Sequence, residues 1–359
     1  MNFNSTVKIK KTLIGINKPT IFIAEIGSNF NGNLKKAKNL IYAAKESGAD
    51  VAKFQHYSAD TLVSDLGFRK LKNNSSHQKN WSGSVFETYK KASLNPDWTA
   101  ELKKTCDEAK IMFMTSAYSF ELIDFVLPFV PALKIGSGEI TWHEQLKYVS
   151  KKKKPIFLAT GASNLSEVIE AVNIISKHNK NLVLMQCNTN YTNSSENLKF
   201  LNLSTIKVFQ TIFPGIITGL SDHTQNDDAV LAAVSLGARV IERHFTDSTK
   251  QSGPDHSFST DIKSFKKLIL KVKELEKMLG DGIKRVEHNE KETIIVQRRS
   301  LYAKKEIIKG EKITKNHIIP LRPCLKDSIP ANGIAKLIGK KSIKNIKSGD
   351  ILKKEYFNN

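Results

Sequence analysis

The 359-residue sequence has few cysteines and no long run of apolar residues. Its three cysteines, Cys106, Cys187 and Cys324, are far apart and form no pair with the spacing of a metal site. We therefore expect them to be reduced and structural. No apolar stretch approaches the roughly 20 residues that a membrane span needs, and residues 1–11 lack the apolar core of a signal peptide. These absences predict a cytoplasmic protein that does not interact with membranes.

Acidic residues are also scarce, because 35 Asp and Glu stand against 56 Lys and Arg, for a net charge of +21. Residues 298–359 alone carry 16 basic and 5 acidic side chains. Basic residues interleaved with aromatic ones would favour nucleic-acid binding. This segment, however, has only Tyr302, Tyr356 and Phe357 and no nucleic-acid-binding motif. We expect no nucleic-acid partner, since an anionic small substrate explains a positive site equally well.

Eight short apolar runs alternate with helical patterns over the first two-thirds of the chain. The predicted strands cover residues 20–25, 50–55, 111–115, 132–136, 155–160, 181–186, 216–220 and 239–244. Between them, apolar residues recur every three or four positions in segments that include 34–47, 96–109, 163–176 and 225–236. The alternation is typical of a parallel sheet with crossover helices. The count of eight favours a closed (β/α)8 TIM barrel over an open doubly wound sheet.

The pattern changes after a last predicted helix over residues 262–279. A polar linker is expected over residues 281–295, and short β-type pieces with turn signals follow from residue 296. We predict a barrel domain over residues 1–280 and a small β-rich domain over residues 296–359. Segment 57–95 is predicted as a loop, and on the catalytic mouth of a barrel a loop of this length would form a lid.

Polar residues stand where several predicted strands end, which is where TIM barrels carry their chemistry. Glu25 ends the first strand, and burying a carboxylate there is costly unless it binds something. A lysine inside the apolar second strand, Lys53, indicates a buried anionic partner. The lysine, hydroxyl and glycines of residues 134–139 suit a phosphate. The alternatives are a helix cap or loop for Glu25 and a side chain that reaches the surface for Lys53.

Two histidines, His223 and His244, follow or end the last two predicted strands. A single histidine is more often a hydrogen-bonded core residue, but two on adjacent strand ends favour a metal site. Two imidazoles with open positions suit Mn, Fe, Co or Zn acting as a Lewis acid on a carbonyl group. In the loop that follows, we expect Asp255 to reach the mouth and His256 to lie on the surface.

The ordered set of motifs resembles the N-acetylneuraminate (sialic acid) synthases and their relatives that make other nonulosonic acids. The matching segments are IAEIG at 23–27, GADVAKFQ at 48–55, KIGSGE at 134–139, SDHT at 221–224, ERHF at 242–245 and GPDH at 253–256. The C-terminal segment resembles the antifreeze-protein-like (SAF) module of these enzymes, through RRSL at 298–301, KGE at 309–311 and LRP at 321–323.

This resemblance implies an enzyme that condenses phosphoenolpyruvate with an N-acylated hexosamine, typically N-acetylmannosamine, and releases phosphate. It implies that His223 and His244 hold a divalent metal that polarises the sugar aldehyde, with Mn first and Mg or Co as alternatives. It also implies a domain-swapped homodimer, in which Arg322 of the C-terminal module contacts the N-acyl group of the sugar bound to the partner subunit.

The same resemblance assigns the other site residues. The expected ligands of phosphoenolpyruvate are Lys53, Lys134, Ser137, Thr189 and Ser221, and Ser116 is a further expected substrate contact. The residues expected to face the sugar are Gln55, Tyr191 and Asp255, with Asn80 from segment 57–95. The expected catalytic residues are Lys53, Glu25, which would bind a sugar hydroxyl, and Glu139, which would act as a base when water adds to C2.

The sequence departs from the family pattern at Ala159, where the family usually has serine. We expect Thr160 or a backbone amide to replace that phosphate ligand. Tyr191 is followed by threonine instead of the usual proline, and the position of Thr189 is more often Ser or Asn. These changes leave the identity of the sugar open.

Two other enzyme classes remain as alternatives. A phosphoenolpyruvate-dependent aldol-type synthase with a sugar phosphate acceptor would need more basic residues and no antifreeze-like module. A metal-dependent TIM-barrel hydrolase would normally have a His-x-His pair on the first strand, where this sequence has Glu25.

Overall fold

The computed structural model describes residues 2–71, 78, 81, 83–192 and 194–358. The chain divides into two compact units, Met1–Gly280 and Asp281–Asn359. Among the described residues, no helix is both long enough and apolar enough to cross a membrane.

The first unit begins with an antiparallel hairpin, β1 (Thr6–Ile9) and β2 (Thr12–Gly15), that the sequence analysis did not predict. Polar and apolar residues alternate along β1, and the side chains of Val7, Ile9 and Ile14 are buried. They belong to one apolar cluster with barrel residues such as Ile23 and Val240. The hairpin therefore covers apolar side chains that the barrel strands carry.

Eight parallel strands form a closed barrel, which confirms the predicted fold. The strands are β3 (Ile21–Glu25), β4 (Val51–His56), β5 (Met112–Ala117), β6 (Leu133–Ile135), β7 (Ile156–Ala159), β8 (Leu182–Cys187), β9 (Ile217–Asp222) and β10 (Val240–Thr246). Closure occurs because β10 pairs with both β9 and β3. A short strand, β11 (Thr260–Asp261), extends β10. All eight predicted strands are present, and their ends differ from the predictions by at most two residues.

The helices of this unit follow the strands. They are α1 (Leu34–Glu46), α2 (Ala59–Leu62), α3 (Asp65–Lys70), α4 (Val85–Ala92), α5 (Thr99–Glu108), α6 (Phe120–Val126), α7 (His143–Lys151), α8 (Leu165–Ser176), α9 (Thr205–Ile212), α10 (Asp227–Ser235) and α11 (Ile262–Leu279). Side chains that accept a backbone N–H begin many of them, for example Asn33 before α1 and Asn164 before α8. Helix α1 buries a stripe of apolar residues that recur at helical spacing.

The prediction that segment 57–95 is a loop was wrong, because α2, α3 and α4 lie within it. Ser64 and Ser84 cap α3 and α4 by accepting the N–H of Gly67 and Glu87. A serine hydroxyl can accept the free N–H groups at the start of a helix, so these two serines begin short helices within the segment.

The two faces of each barrel strand carry different residues. Along β10, Ile241 and Phe245 belong to the large cluster that includes the helix side chains, whereas Val240 belongs to the cluster of the barrel interior. Since successive side chains of a strand point to opposite faces, Glu242 and His244 share the inner face with Val240. The alternation of side chains along each strand therefore decides which polar residues face the barrel interior and reach its mouth.

The second unit has its own small apolar core, formed by residues such as Leu301, Ile307 and Leu352. Its elements are α12 (Lys291–Gln297), β12 (Ser300–Ala303), β13 (Ile318–Leu321) and α13 (Ile334–Leu337), with β12 and β13 antiparallel. Helix α12 occupies part of the segment predicted as a linker.

Candidate active site

A cavity of about 360 Å³ lies at the carboxyl ends of the barrel strands. Twelve predicted site residues line it: Lys53, Gln55, Ser116, Lys134, Ser137, Glu139, Thr189, Tyr191, Ser221, His223, His244 and Asp255. Residues as far apart in sequence as Lys53 and Asp255 thus meet at one opening.

Of the other three predicted site residues, the two that the structure describes, Glu25 and Arg322, are not part of this lining. Glu25 is buried and forms an ion pair with Lys53. Asn80 lies outside the described residues. Arg322 follows β13 in the second unit, where it is exposed.

Three charged side chains, Lys53, Lys134 and Glu242, form the floor of the cavity, and Glu25 pairs with Lys53 outside the lining. The Nζ atom of Lys134 donates to Oε1 of Glu242 at 2.7 Å, and Nζ of Lys53 lies 3.5 Å from the same oxygen. Lys53 also donates to Oε2 of Glu25. The prediction of a buried anionic partner for Lys53 is therefore confirmed. Glu242 was not predicted as a site residue, although its position two residues before His244 on a strand places both side chains on one face.

The charges of the floor stabilise one another. Burial raises the pKa of Glu242, but the ammonium groups of Lys134 and Lys53 outweigh burial and bring it down to about 2. Burial lowers the pKa of Lys53, whereas the carboxylates of Glu242 and Glu25 outweigh that effect and raise it. Lys53 and Glu242 are therefore both charged at neutral pH. The floor presents two ammonium groups whose counter-charges come from the barrel itself.

Glu139 lies on a short 3-10 turn after β6. Burial raises its pKa to about 7, although the nearby ammonium of Lys134 lowers it in part. Its Oε2 atom lies 2.6 Å from the place that a Cβ atom on Gly136 would occupy. Gly136 thus leaves the space that the carboxyl group of Glu139 fills. A carboxyl group with a pKa near 7 is suited to accept or give a proton at neutral pH.

A hydrogen bond to a serine hydroxyl group connects the segments that follow β6 and β7. Ser137 Oγ accepts the backbone N–H of Gly161 at 2.9 Å. A Cβ atom on Gly161 would lie only 2.4 Å from Thr189 Cγ2, so only glycine fits. The hydroxyl of Thr160, which as an alternative to a backbone amide was expected to replace the missing phosphate ligand, donates to Met185 O at 3.0 Å.

A second, wider cavity of about 900 Å³ adjoins the first, between α8 and α9. Cys187, Thr189 and Tyr191 line both cavities. Cys187 is a free cysteine, as predicted, and its place in the lining was not anticipated.

The rings of His223 and His244 lie side by side, with centroids 5.6 Å apart. The Nδ1 atom of His223 lies 2.8 Å from the carbonyl oxygen of Asn188. Since a carbonyl only accepts, Nδ1 carries a proton, and Nε2 is the nitrogen that can bind a metal when the ring is neutral. Burial, with the charges of His223 and Lys53, lowers the pKa of His244 well below its usual range, so its imidazole is neutral.

The surroundings of His244 bear on metal binding. Nδ1 of His244 is buried and has no hydrogen-bond partner among the described residues, and it lies 3.9 Å from Oδ2 of Asp255. In the part of the chain that the structure describes, no three His, Cys, Asp or Glu side chains form a metal cluster. The donor set thus fits a divalent metal bound by two imidazoles, with its other positions open to substrate and water.

Asp255 is held at the mouth by the loop after β3. Its Oδ2 accepts the backbone N–H of Ser28 at 2.9 Å. Gly27 has a φ of +52°, and a Cβ atom there would lie 2.6 Å from the same oxygen. The prediction that His256 lies on the surface was wrong, because it is fully buried and bonded to Thr246 Oγ1 at 2.7 Å and to Asn31 Oδ1 at 3.1 Å.

Aromatic rings complete the cavity. The ring of Tyr191 lies 4.1 Å from that of His223 and 5.1 Å from that of Phe258. On the side of segment 57–95, Tyr57 packs against Tyr89 at 5.5 Å. Tyr57, Tyr89 and Phe258 all line the cavity and were not predicted, because isolated aromatic residues in a sequence do not reveal which side of the barrel they face.

The closed barrel, the paired ammonium groups and the two imidazoles at one mouth define an enzyme site of the TIM-barrel type. Comparison with known proteins identifies the family. Residues 40–284 match the NeuB family and residues 298–357 match the SAF domain. The chain therefore belongs to the NeuB family and is an enzyme of that family, which confirms the resemblance found in the sequence.

Individual relatives support this assignment. An N,N'-diacetyllegionaminic acid synthase from Campylobacter jejuni is 34% identical, over 94% of this chain and 99% of its own length. A pseudaminic acid synthase from the same organism is 33% identical, over 95% of this chain and 97% of its own. The crystal structure of an N-acetylneuraminic acid (sialic acid) synthetase from Leptospira borgpetersenii matches with a TM-score of 0.71 at 26% identity, over 82% of this chain and 96% of that one.

Proposed function

We propose that this protein condenses phosphoenolpyruvate with N-acetylmannosamine or a related N-acylated hexosamine, releases phosphate and forms a nine-carbon 2-keto acid. The observation that carries the proposal is one cavity that combines two buried ammonium groups with two adjacent imidazoles, in a chain of the NeuB family.

The cationic floor is the expected binding site of phosphoenolpyruvate. Lys53 and Lys134 are buried, so their attraction for an anionic ligand is little screened by water. The hydroxyl groups of Ser137 and Ser221 lie in the same lining and supply hydrogen bonds to phosphate or carboxylate oxygens.

The sugar is expected on the side of the imidazoles. His223 and His244 would hold a divalent metal, Mn first and Mg or Co as alternatives, which when bound polarises the aldehyde carbonyl. Gln55, Tyr191 and Asp255 line the same cavity and would orient the sugar hydroxyl groups. Glu25 is better placed to hold Lys53 than to contact a sugar, since it pairs with that lysine beneath the lining.

The bond changes follow from this placement. The π electrons of phosphoenolpyruvate form a bond from C3 to the aldehyde carbon, whose oxygen takes a proton. Water then adds at the electron-poor C2 and gives a proton to Glu139. The C2–O bond to phosphate breaks, phosphate leaves with the proton of the new C2 hydroxyl group, and the keto group forms. The proton that water gave to Glu139 balances the proton that the aldehyde oxygen took up. A carboxyl group with a pKa near 7 serves this proton transfer at neutral pH.

The active form in this proposal is a homodimer, in which Arg322 of each subunit contacts the N-acyl group of the sugar bound to the other subunit. Arg322 is exposed and follows β13, so its guanidinium group is accessible. A fixed planar donor suits an amide carbonyl.

The test is phosphate release by the purified protein with phosphoenolpyruvate, Mn²⁺ and a panel of N-acylated hexosamines that includes 6-deoxy-diacetamido sugars. We expect phosphate in step with a product whose mass equals the sugar plus pyruvate. His223→Ala should abolish turnover. No phosphate with any of these sugars, or phosphate only with a sugar phosphate acceptor, would refute the proposal.

A further inference from the structure

Arg243 and Asp222 form a buried ion pair that the proposed reaction does not use. Their relative exposures are 1% and 2%, and Arg243 is the largest of the fully buried side chains. They lie on the outer face of the barrel wall, each next in sequence to one of the two imidazoles. Replacing a buried ion pair with apolar residues of similar volume is often neutral for stability, so such a pair calls for a reason other than stability.

The pair joins the two strands at the last position of their pairing. In the register of β9 and β10, Glu242 faces Ser221 and Arg243 faces Asp222, and no later pair follows. His223 is therefore one residue beyond the ladder. The backbone hydrogen bonds between these strands do not by themselves fix where His223 lies relative to His244.

The ion pair constrains the backbone of this segment, in addition to the hydrogen bond from His223 Nδ1 to the carbonyl oxygen of Asn188. Nε and Nη2 of Arg243 both donate to Oδ2 of Asp222, at 2.9 and 2.5 Å. Oδ1 of Asp222 accepts the N–H of Thr224 at 3.0 Å, and Nη2 of Arg243 donates to the carbonyl oxygen of Asn226 at 2.7 Å. The short segment that carries His223 is thus held on both sides.

We propose that Asp222 and Arg243 are positioning residues that set the separation of the two imidazoles and thereby the affinity for the divalent metal. This inference rests on the proposed function, because it takes His223 and His244 to be the metal ligands. Neither residue lines the cavity, so they act on the metal only through the backbone of the two histidines. Side chains that orient metal ligands typically change metal affinity by about 10- to 100-fold when they are removed.

Two variants test the proposal. Arg243→Lys keeps the charge but cannot make the two-nitrogen contact with Asp222. The double variant Asp222→Leu/Arg243→Met removes both charges together, so no unpaired charge is left buried and the barrel is expected to fold. Thr99→Val is the matched control. It breaks a buried hydrogen bond of 2.8 Å between Thr99 on α5 and His56 on β4, and neither residue is on β9, which His223 follows, or on β10, which carries His244.

The measurement is calorimetric titration of each full-length variant with Mn²⁺ alone, with circular dichroism to confirm folding. We expect the Mn²⁺ Kd to rise about tenfold or more in both variants and to stay unchanged in Thr99→Val. Activity should return toward the wild-type kcat when the Mn²⁺ concentration is raised, which loss of folding would not produce.

The outcomes separate this inference from the proposed function. Wild-type protein that binds Mn²⁺ while both folded variants bind it equally tightly would overturn the positioning role and leave the function intact. Wild-type protein that binds no Mn²⁺, Mg²⁺ or Co²⁺ would overturn the metal site itself, and the inference with it.

Discussion

Replacing Glu139 by glutamine should stabilise the protein at high pH while it impairs catalysis. The carboxyl group is largely buried on the turn after β6, and burial raises its pKa from the usual 4.5 to about 7. The uncharged amide of glutamine has nearly the same shape but does not ionise. The difference in free energy of unfolding between the wild type and Glu139→Gln therefore measures what it costs to bury the charged carboxylate at this place in the cavity.

The raised pKa of Glu139 decides how the free energy of unfolding changes with pH. Below pH 4.5 the carboxyl group is protonated in both the folded and the unfolded chain, so it adds no pH-dependent difference. Between pH 4.5 and 7 the unfolded chain ionises first, and the free energy of unfolding of the wild type falls. A shift of about 2.5 pKa units corresponds to at most about 3 kcal/mol, which partial exposure to solvent reduces.

The assay is urea unfolding of the full chain at a series of pH values from 4 to 8.5, for the wild type and Glu139→Gln. The difference between them should be near zero at pH 4, rise with pH and level off above pH 7. The change of the exposed Glu144 to glutamine on α7 is the control, with an expected effect within about 0.5 kcal/mol. A difference that stays flat across this range would refute the claim that burial raises the pKa of Glu139.

Catalysis provides an independent check of the same residue. Gly136→Ala places a Cβ atom 2.6 Å from Oε2 of Glu139 and should push the carboxyl group away without removing it. We expect kcat to fall in both Glu139→Gln and Gly136→Ala, with little change in KM for phosphoenolpyruvate. A wild-type kcat in both variants would exclude Glu139 as the base.

Two other substitutions test the two ends of the proposed substrate complex. Lys134→Met removes the closer of the two ammonium partners of Glu242, so calorimetry should show loss of phosphoenolpyruvate binding. Urea unfolding should show a loss of about 3 kcal/mol, at the lower end of the cost of breaking a buried pair, because Glu242 keeps Lys53 at 3.5 Å. Binding of phosphoenolpyruvate at the wild-type Kd would contradict the role of the cationic floor. Arg322→Ala should raise KM for the sugar and leave KM for phosphoenolpyruvate unchanged, and mixing it with Glu139→Gln should restore part of the activity through hybrid dimers. Equal sugar KM values for Arg322→Ala and the wild type would remove its cross-subunit role.

The barrel strands could be predicted because each one is a continuous apolar run between polar segments. Strands buried on both faces leave this signal in any sequence, and all eight appear within two residues of their predicted ends. The hairpin β1–β2 was missed because each strand has only four residues, which is too short for a clear alternation of polar and apolar residues. The helices α2 to α4 were missed because each is too short to show a helical period.

The site residues at strand ends could be predicted because the barrel brings all such ends to one mouth. Glu242 was missed because its motif drew attention to His244, and its ion pairs with Lys53 and Lys134 cross the barrel interior. His256 was placed on the surface because a histidine in a Gly-Pro loop looks exposed, whereas its two hydrogen-bond partners come from β10 and from the loop after β3.

The sequence by itself determined the barrel, the family and twelve of the residues at the mouth, since these depend on local periodicity and on the order of motifs along the chain. Only the tertiary structure decided which charges pair. Glu25 serves Lys53, Glu242 bridges two lysines, and Asp222 and Arg243 hold the segment that carries His223. The physical reason is that an ion pair depends on distances of a few ångströms between residues as far apart in sequence as Lys53 and Glu242, and only the closed barrel fixes those distances.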